Sequence, residues 1–297
     1  MSQTPDLIDH AALQRMANLQ LIARTVVEGF ISGQHPSVYK GFSVEFAQHR
    51  QYSIGDEIRH IDWKVYGKSD RLFVKQYEEE TSLHATLCLD ASGSMRYTSG
   101  TEQKFEYARK VAAALAYLMV GQSDSVGLVV FDSEVRKQIP GRSTTAHLSN
   151  LLQVLAGTEA GNETRLAPIL HNLSAQLKRR GLIILISDFF TPIKDLSHAL
   201  AHFHHKHHEM ILFQILDRNE STFKFDTVAE FHSLENSNHK IKLDASRVRK
   251  HYLEHFELHM QKLRETCHRF HFDHVLLETH QPIELALSHY FMHRHGR

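Results

Sequence analysis

From residue 83 onward, short, mostly apolar runs containing β-branched residues recur: Ala85–Leu89, Val126–Phe131, Leu182–Ile186, Met210–Leu216 and Phe272–Leu277. Successive side chains of a strand point to opposite faces of its sheet, so a strand that is apolar at every position has to be covered on both faces. Between these runs, Lys104–Gly121, Ala146–Leu155, Arg165–Arg179, Ile193–His205, Ser246–Arg269 and Pro282–His293 carry apolar residues at helical spacing. The alternation predicts an α/β fold, a doubly wound, mostly parallel sheet with helices on both sides. Two features modify it. Asp132-Ser-Glu separates Val126–Phe131 from Val135–Ile139 and reads as a hairpin leading to one antiparallel edge strand. Residues 217–245 read as an insertion with two further short strands.

The segment before residue 83 is different. Leu13, Met16, Leu19, Leu21, Ile22, Val26, Val27 and Phe30 give residues 8–33 a helical spacing, which Gly33 and Pro36 end. Residues 37–80 mix scattered aromatics with dense charge and finish in an extended run, Leu72-Phe-Val-Lys-Gln-Tyr-Glu. The expected organisation is an N-terminal helix and charged extension over residues 1–80, followed by the α/β domain over 81–297.

Composition excludes several classes of function. Lys+Arg and Asp+Glu both number 34, so no overall basic field favours nucleic acid. Apolar runs such as Leu182–Ile186 are far shorter than the roughly 20 residues that span a bilayer, so no membrane insertion is expected. Met1–Asp9 is polar and acidic and does not read as a signal peptide. Cys88 and Cys267 read as two inert thiols of a reduced, cytoplasmic protein.

The chemistry concentrates in Leu87-Cys-Leu-Asp90-Ala-Ser92-Gly-Ser94-Met. A buried strand stops at Asp90, and a tight loop then offers a carboxylate and two hydroxyls at alternating positions. Hard oxygen donors of this kind suit Mg²⁺, which takes six oxygens in octahedral geometry and keeps several waters; Mn²⁺ and Ca²⁺ are the alternatives. Asp188, in Ile-Leu-Ile-Ser187-Asp188, ends a second strand. Ligands of open α/β sheets bind beyond the carboxyl ends of strands, at a switch in strand order, so Asp90 and Asp188 are expected to share one crevice. Thr164, in Gly161-Asn-Glu-Thr164-Arg, is the best further donor. Neutral hydroxyls leave much of the ion's charge uncompensated, which invites a carboxylate from another molecule. A non-catalytic, metal-gated docking site is therefore preferred over an enzyme.

Enzyme readings fit less well. Gly67-Lys68-Ser69 lacks the earlier glycine of a phosphate-binding loop, where Asp62 stands instead. Ala91-Ser92-Gly93 lacks the first glycine of a nucleophile elbow. Ser92 stands where an aspartyl-phosphate enzyme wants a second carboxylate. The alternative that remains is a metal-dependent hydrolase using Asp90 and Asp188. The histidine-rich stretch His202–His208 has no zinc spacing, and the pairs His204/His208 and His255/His259 read as solvated helix faces.

Asp90-x-Ser92-x-Ser94, a loop threonine and a later strand-end aspartate resemble the metal-ion-dependent adhesion site of von Willebrand factor A domains. The resemblance implies that Ser92, Ser94 and Thr164 ligate Mg²⁺ directly, that Asp90 and Asp188 act through water, and that the sixth position takes an acidic residue of a partner. Upstream, Arg50-Gln-Tyr52-Ser-Ile-Gly55-Asp56-Glu-Ile-Arg59-His-Ile-Asp62-Trp63 and Arg71-Leu-Phe-Val-Lys75-Gln-Tyr-Glu78 resemble the signature of the bacterial DUF58 family. In that family the signature precedes a von Willebrand A-like domain, and the resemblance implies partnership with a MoxR-type AAA+ ATPase in assembly or activation of client proteins. Arg50, Asp56, Arg59, Asp62, Arg71 and Glu78 are expected to form a structural ion-pair network, with an ATPase-docking surface as the alternative reading; Trp63 is expected to anchor packing. Asn162 and Arg165 depart from the family pattern, which often has Gly and Asp at these places.

Overall fold

Residues of alternating parity along the central strands enter two separate cores, which is why the strands read as continuous apolar runs. The computed structural model describes residues 10–32, 49–51, 66–67, 72–75, 83–100, 102–163, 165–177, 179–225, 228–234 and 240–294. The chain divides into two compact units, Met1–Gly33 with Leu83–Arg297, and Gln34–Ser82.

In the smaller unit, β1 (His49–Gln51) pairs antiparallel with β2 (Phe73–Lys75), placing Arg50 opposite Val74 and Lys75 opposite His49. Tyr52, Gly55, Asp56, Arg59, Asp62, Trp63, Arg71 and Glu78 lie outside the described residues.

The larger unit begins with helix α1 (His10–Ser32), followed after the smaller unit by β3 (His84–Asp90), α2 (Lys104–Gly121), β4 (Ser125–Phe131) and β5 (Val135–Arg142). Then come α3 (Thr145–Gly157), α4 (Leu166–Gln176), β6 (Leu182–Ser187), α5 (Ile193–His205) and β7 (Glu209–Leu216). The insertion consists of α6 (Arg218–Thr222), β8 (Val228–His232) and β9 (Lys240–Asp244); α7 (Ala245–Arg269), β10 (Asp273–Glu278) and α8 (Ile283–Arg294) complete the unit. The six-stranded sheet has the order β10-β7-β6-β3-β4-β5 and is parallel except for β5, the antiparallel edge strand. This is the mostly parallel α/β architecture expected from the sequence.

Leu87, Leu89, Leu128, Val130, Ile184, Ile186, Phe213 and Ile215 face one core, which α1, α2, α3 and α8 cover. Cys88, Val129, Phe131, Ile183, Leu185 and Leu212 face the other, under α4, α5 and α7. Helix α1, grouped by linear order with the charged extension, instead buries Leu19, Ala23, Val26 and Val27 in the first core. Both cysteines are free and buried in the second core, where burial pushes their thiols up to about 12. Among the described residues no helix is long and apolar enough to cross a membrane.

The histidine-rich stretch departs from expectation. Helix α5 ends at His205, and His207 takes a left-handed backbone (φ 59°), so His204 and His208 do not share a helix face. His204 packs against Phe270 and Phe272, and His208 is buried against Phe203.

The chain passes from β3 to β4 on one side and later to β6, β7 and β10 on the other. The order therefore reverses between β3 and β6, and the crevice beyond their carboxyl ends is the expected place for a ligand.

Candidate functional site

Four parallel strands each run into an aspartate at their carboxyl end: Asp90 is the last residue of β3, and Asp132, Asp188 and Asp217 directly follow β4, β6 and β7. All four are buried. Each carboxylate accepts the backbone N–H two residues on, from Ser92 (2.9 Å), Glu134 (3.1 Å), Phe190 (3.2 Å) and Asn219 (2.8 Å). An aspartate side chain closing such a turn satisfies backbone donors just where the sheet ladder ends. The four carboxylates then diverge in role according to their remaining contacts.

Asp90 accepts the Ser187 hydroxyl at 2.6 Å through its other oxygen and has no ion-pair partner among the described residues. Burial first, and then the nearby charge of Asp188, push its carboxyl up to about 7, against smaller opposing effects of the Ser187 and Ser92 hydrogen bonds. Ser92 and Ser94 lie at the start of a 3₁₀ turn, Gly93–Arg96, with their hydroxyl oxygens 3.2 Å apart. Adjacent ligands of an octahedral Mg²⁺ at bond lengths of about 2.1 Å are separated by about 3.0 Å. Two hydroxyls at that spacing, and a buried carboxylate without a cationic partner among the described residues, fit a hard divalent ion. No group of three or more His, Cys, Asp or Glu arranged to hold a metal exists among the described residues, so a site here depends on hydroxyls.

The loop before α4 is tied directly to this turn. Gly93 N–H donates to the Asn162 carbonyl (2.7 Å), and Gly161 N–H donates to the Ala91 carbonyl (2.8 Å). Asn162 has a left-handed backbone (φ 64°), a conformation that Gly adopts freely and Asn tolerates better than most residues. Its side-chain amide donates to Asp132 at 2.7 Å. Arg136 is bound to the same carboxylate and donates to the Glu159 (2.6 Å) and Gly161 (3.1 Å) carbonyls. Thr164 lies outside the described residues. Of the five proposed donors, Asp90, Ser92, Ser94 and Asp188 come together at the crevice.

Asp188 is engaged differently. The fully buried ammonium of Lys104, the first residue of α2, donates to it at 2.8 Å and to Glu220 of α6 at 2.6 Å. Burial by itself would lower the Lys104 pKa; the two carboxylates outweigh it and hold it above its ordinary value. The Asp188 carbonyl accepts from Gln214 (3.0 Å), whose amide oxygen meets His274 (2.9 Å). The next residue, Phe189, is buried and left-handed (φ 58°), held by His259 through its carbonyl and by the Ser187 hydroxyl through its N–H. Asp217 caps α6 and binds both the N–H and hydroxyl of Ser99, in the loop that follows the serine turn.

The insertion reaches the serine turn from above. A Cβ placed on Gly93 would lie 2.4 Å from the Leu234 carbonyl oxygen and 3.0 Å from that of Asn162. Both neighbours are backbone atoms with little freedom to yield. Gly93→Ala is expected to cost about 1–2 kcal/mol and to loosen β8 and β9. Urea denaturation and amide hydrogen exchange of that segment check this, and unchanged protection of the hairpin would show that the close approach is unimportant.

Asp132, Ser187, Lys104 and Glu220 were not anticipated as site residues. Asp132 carried the same signal as Asp90, an aspartate ending an apolar run, but served in the sequence reading only as part of a turn. Lys104 and Glu220 carry no local signal.

A family model described as "Protein of unknown function DUF58" matches residues 48–262. Uncharacterized proteins of Mycobacterium tuberculosis and Mycobacterium bovis are 26% identical over 217 residues, which cover 71% of this chain and 67% of theirs. Among solved structures, a conserved hypothetical protein BatB from Bacteroides thetaiotaomicron aligns with a TM-score of 0.44 and 14% identity, over 72% of this chain and 100% of that one. The von Willebrand factor domain of the pilus tip protein Mfa5 from Porphyromonas gingivalis aligns with a TM-score of 0.34 and 14% identity, over 72% and 94%.

Proposed function

The chain belongs to the DUF58 family, and from that premise we propose that it is a non-catalytic protein-interaction module whose docking site is completed by Mg²⁺. The observation that carries this reading is the Ser92/Ser94 hydroxyl pair beside buried Asp90, at the reversal of strand order. Ser92, Ser94 and Thr164 would hold the ion, Asp90 and Asp188 would balance its charge, and an acidic residue of the partner would take the remaining position. Mg²⁺ supplies a positive focus for that carboxylate. The chain's own residues hold the hydroxyls in register: Asp90 and Asn162 fix the turn through Ser92 and Gly93, and Ser187 fixes Asp90. Phe190 and Leu234, 43% and 39% exposed, offer apolar surface near the same loops.

A cytoplasmic client protein with an exposed acidic side chain fits this chemistry, and a MoxR-type AAA+ ATPase acting on that client is the partner the family resemblance favours. Pull-downs from lysate in Mg²⁺ are expected to lose their captured protein by at least about tenfold on adding EDTA or on Ser92→Ala, which removes one hydroxyl and keeps the backbone N–H that Asp90 accepts. Capture that survives both treatments contradicts the proposal. Turnover of phosphoester or peptide substrates by the purified protein would favour the hydrolase alternative instead.

A further inference from the structure

We propose that Lys104 is a built-in competitor for the divalent ion: its ammonium is shared between Asp188 and Glu220, and that sharing sets how tightly the ion is held. The inference rests on the metal reading above and deepens it, since it assigns control of affinity to residues outside the ligand set.

Lys104 has no exposed surface, so its charge is answered by protein groups and not by water. It lies 2.8 Å from Asp188 and 2.6 Å from Glu220, and its ammonium sits 5.2 Å from the centre of the Phe190 ring. A cation approaching the serine turn therefore meets Asp90, which has no cationic partner among the described residues, and a second carboxylate that already has one. Charges this close in a poorly hydrated site are strongly coupled.

Glu220 is the counterweight, and it is held by α6 and α7 from outside the proposed ligand set. Its second carboxylate oxygen accepts the Asp217 N–H at 2.9 Å, closing the capping box of α6, and its carbonyl accepts the Tyr252 hydroxyl of α7 at 2.9 Å. Tyr252 stacks on Phe223, which in turn meets Phe225 and Phe231 of the insertion. Glu220 thus holds Lys104 without itself being a proposed ligand. Weakening that hold leaves the ammonium wholly to Asp188.

Two substitutions should act with opposite signs. Lys104→Met keeps the length of the apolar stem and removes the competing charge. Glu220→Gln removes a negative charge and concentrates Lys104 on Asp188. Calorimetric titration of the full chain with Mg²⁺, and separately with Mn²⁺, is expected to show about tenfold tighter binding for Lys104→Met and about tenfold weaker binding for Glu220→Gln. The metal-induced rise in Tm should follow the same order. Equal affinities, or weaker binding in both variants, would overturn the proposal and leave Lys104 as a structural ion pair. Should Lys104→Met fail to fold, Glu220→Gln decides alone: weaker binding supports the competition and unchanged binding rejects it. Absence of binding by the wild-type chain would instead remove the metal reading itself.

Discussion

At pH 8 without divalent cations, Asp90→Asn is expected to be more stable than the wild type. Asp90 is buried, and its carboxyl is pushed up to about 7 from an ordinary value of 3.8. Between those values the folded chain keeps a proton that the unfolded chain has released. The folded state binds more protons, so stability falls as pH rises from about 4 to about 7 and stays low above that. A shift of this size corresponds to roughly 4 kcal/mol as an upper figure, and about 2–3 kcal/mol is a reasonable expectation for the variant's gain at pH 8. Asparagine preserves the local geometry. Its carbonyl oxygen accepts from Ser92 N–H, and its amide donates to the Ser187 hydroxyl in place of accepting from it. Urea denaturation in EDTA at pH 5 and pH 8 measures the effect. The stability advantage of Asp90→Asn over the wild type should grow between the two. Mg²⁺ at about 100 times its Kd should then stabilise the wild type by about 2.7 kcal/mol and leave the variant unmoved. A variant less stable than the wild type at pH 8 in EDTA would show that Asp90 is held as a favourable ion without metal.

The second large effect concerns Asp132, which has the opposite environment. Burial alone would raise its carboxyl, but the Asn162 amide, the Glu134 N–H and Arg136 together outweigh that and hold it below the usual range. Asp132→Ala removes the acceptor for all three and leaves Arg136, itself partly exposed, with only the Glu159 and Gly161 carbonyls. A loss of about 3 kcal/mol is expected, below the full cost of stranding a completely buried charge. A group with a depressed folded pKa contributes stability above its unfolded pKa and loses it as pH falls through the folded value. The gap between wild type and Asp132→Ala should therefore be full at pH 7 and shrink below about pH 4. Because Asn162 is bound both to Asp132 and to Gly93, the variant should also weaken the serine turn, read as faster amide exchange at Gly93 and Gly161. A pH-independent gap would show that packing rather than charge accounts for the loss.

Both experiments address residues of the same type at corresponding places in the fold, and that repetition was legible in the sequence. An apolar run ending abruptly in aspartate marks a parallel strand reaching its carboxyl end, as at Leu89-Asp90, Phe131-Asp132 and Leu216-Asp217. The same arithmetic of alternation gave the two-sided core, the antiparallel edge strand and the position of the insertion. The short helix α6 within the insertion was not anticipated, because five residues are too few to establish a helical period. His204 and His208 were misplaced for a related reason: spacing assumes that the helix continues, and α5 stops at His205.

Local order along the chain thus determined the strands, the helices that cover them and the loop where hydroxyls and a carboxylate gather, because periodicity and abrupt changes of polarity are properties of neighbouring residues. Tertiary structure alone decided what each charge near that loop experiences. Lys104 stands in the sequence only as the start of a helical pattern, yet its ammonium is buried against partners 84 and 116 positions away. Gly93 reads as a turn residue, yet the backbone of Leu234 leaves no room for a side chain there. Electrostatic energy and steric exclusion depend on distance in space, and for these residues that distance is set by the parallel pairing of strands β3 and β6 and by an insertion folded back onto their carboxyl ends.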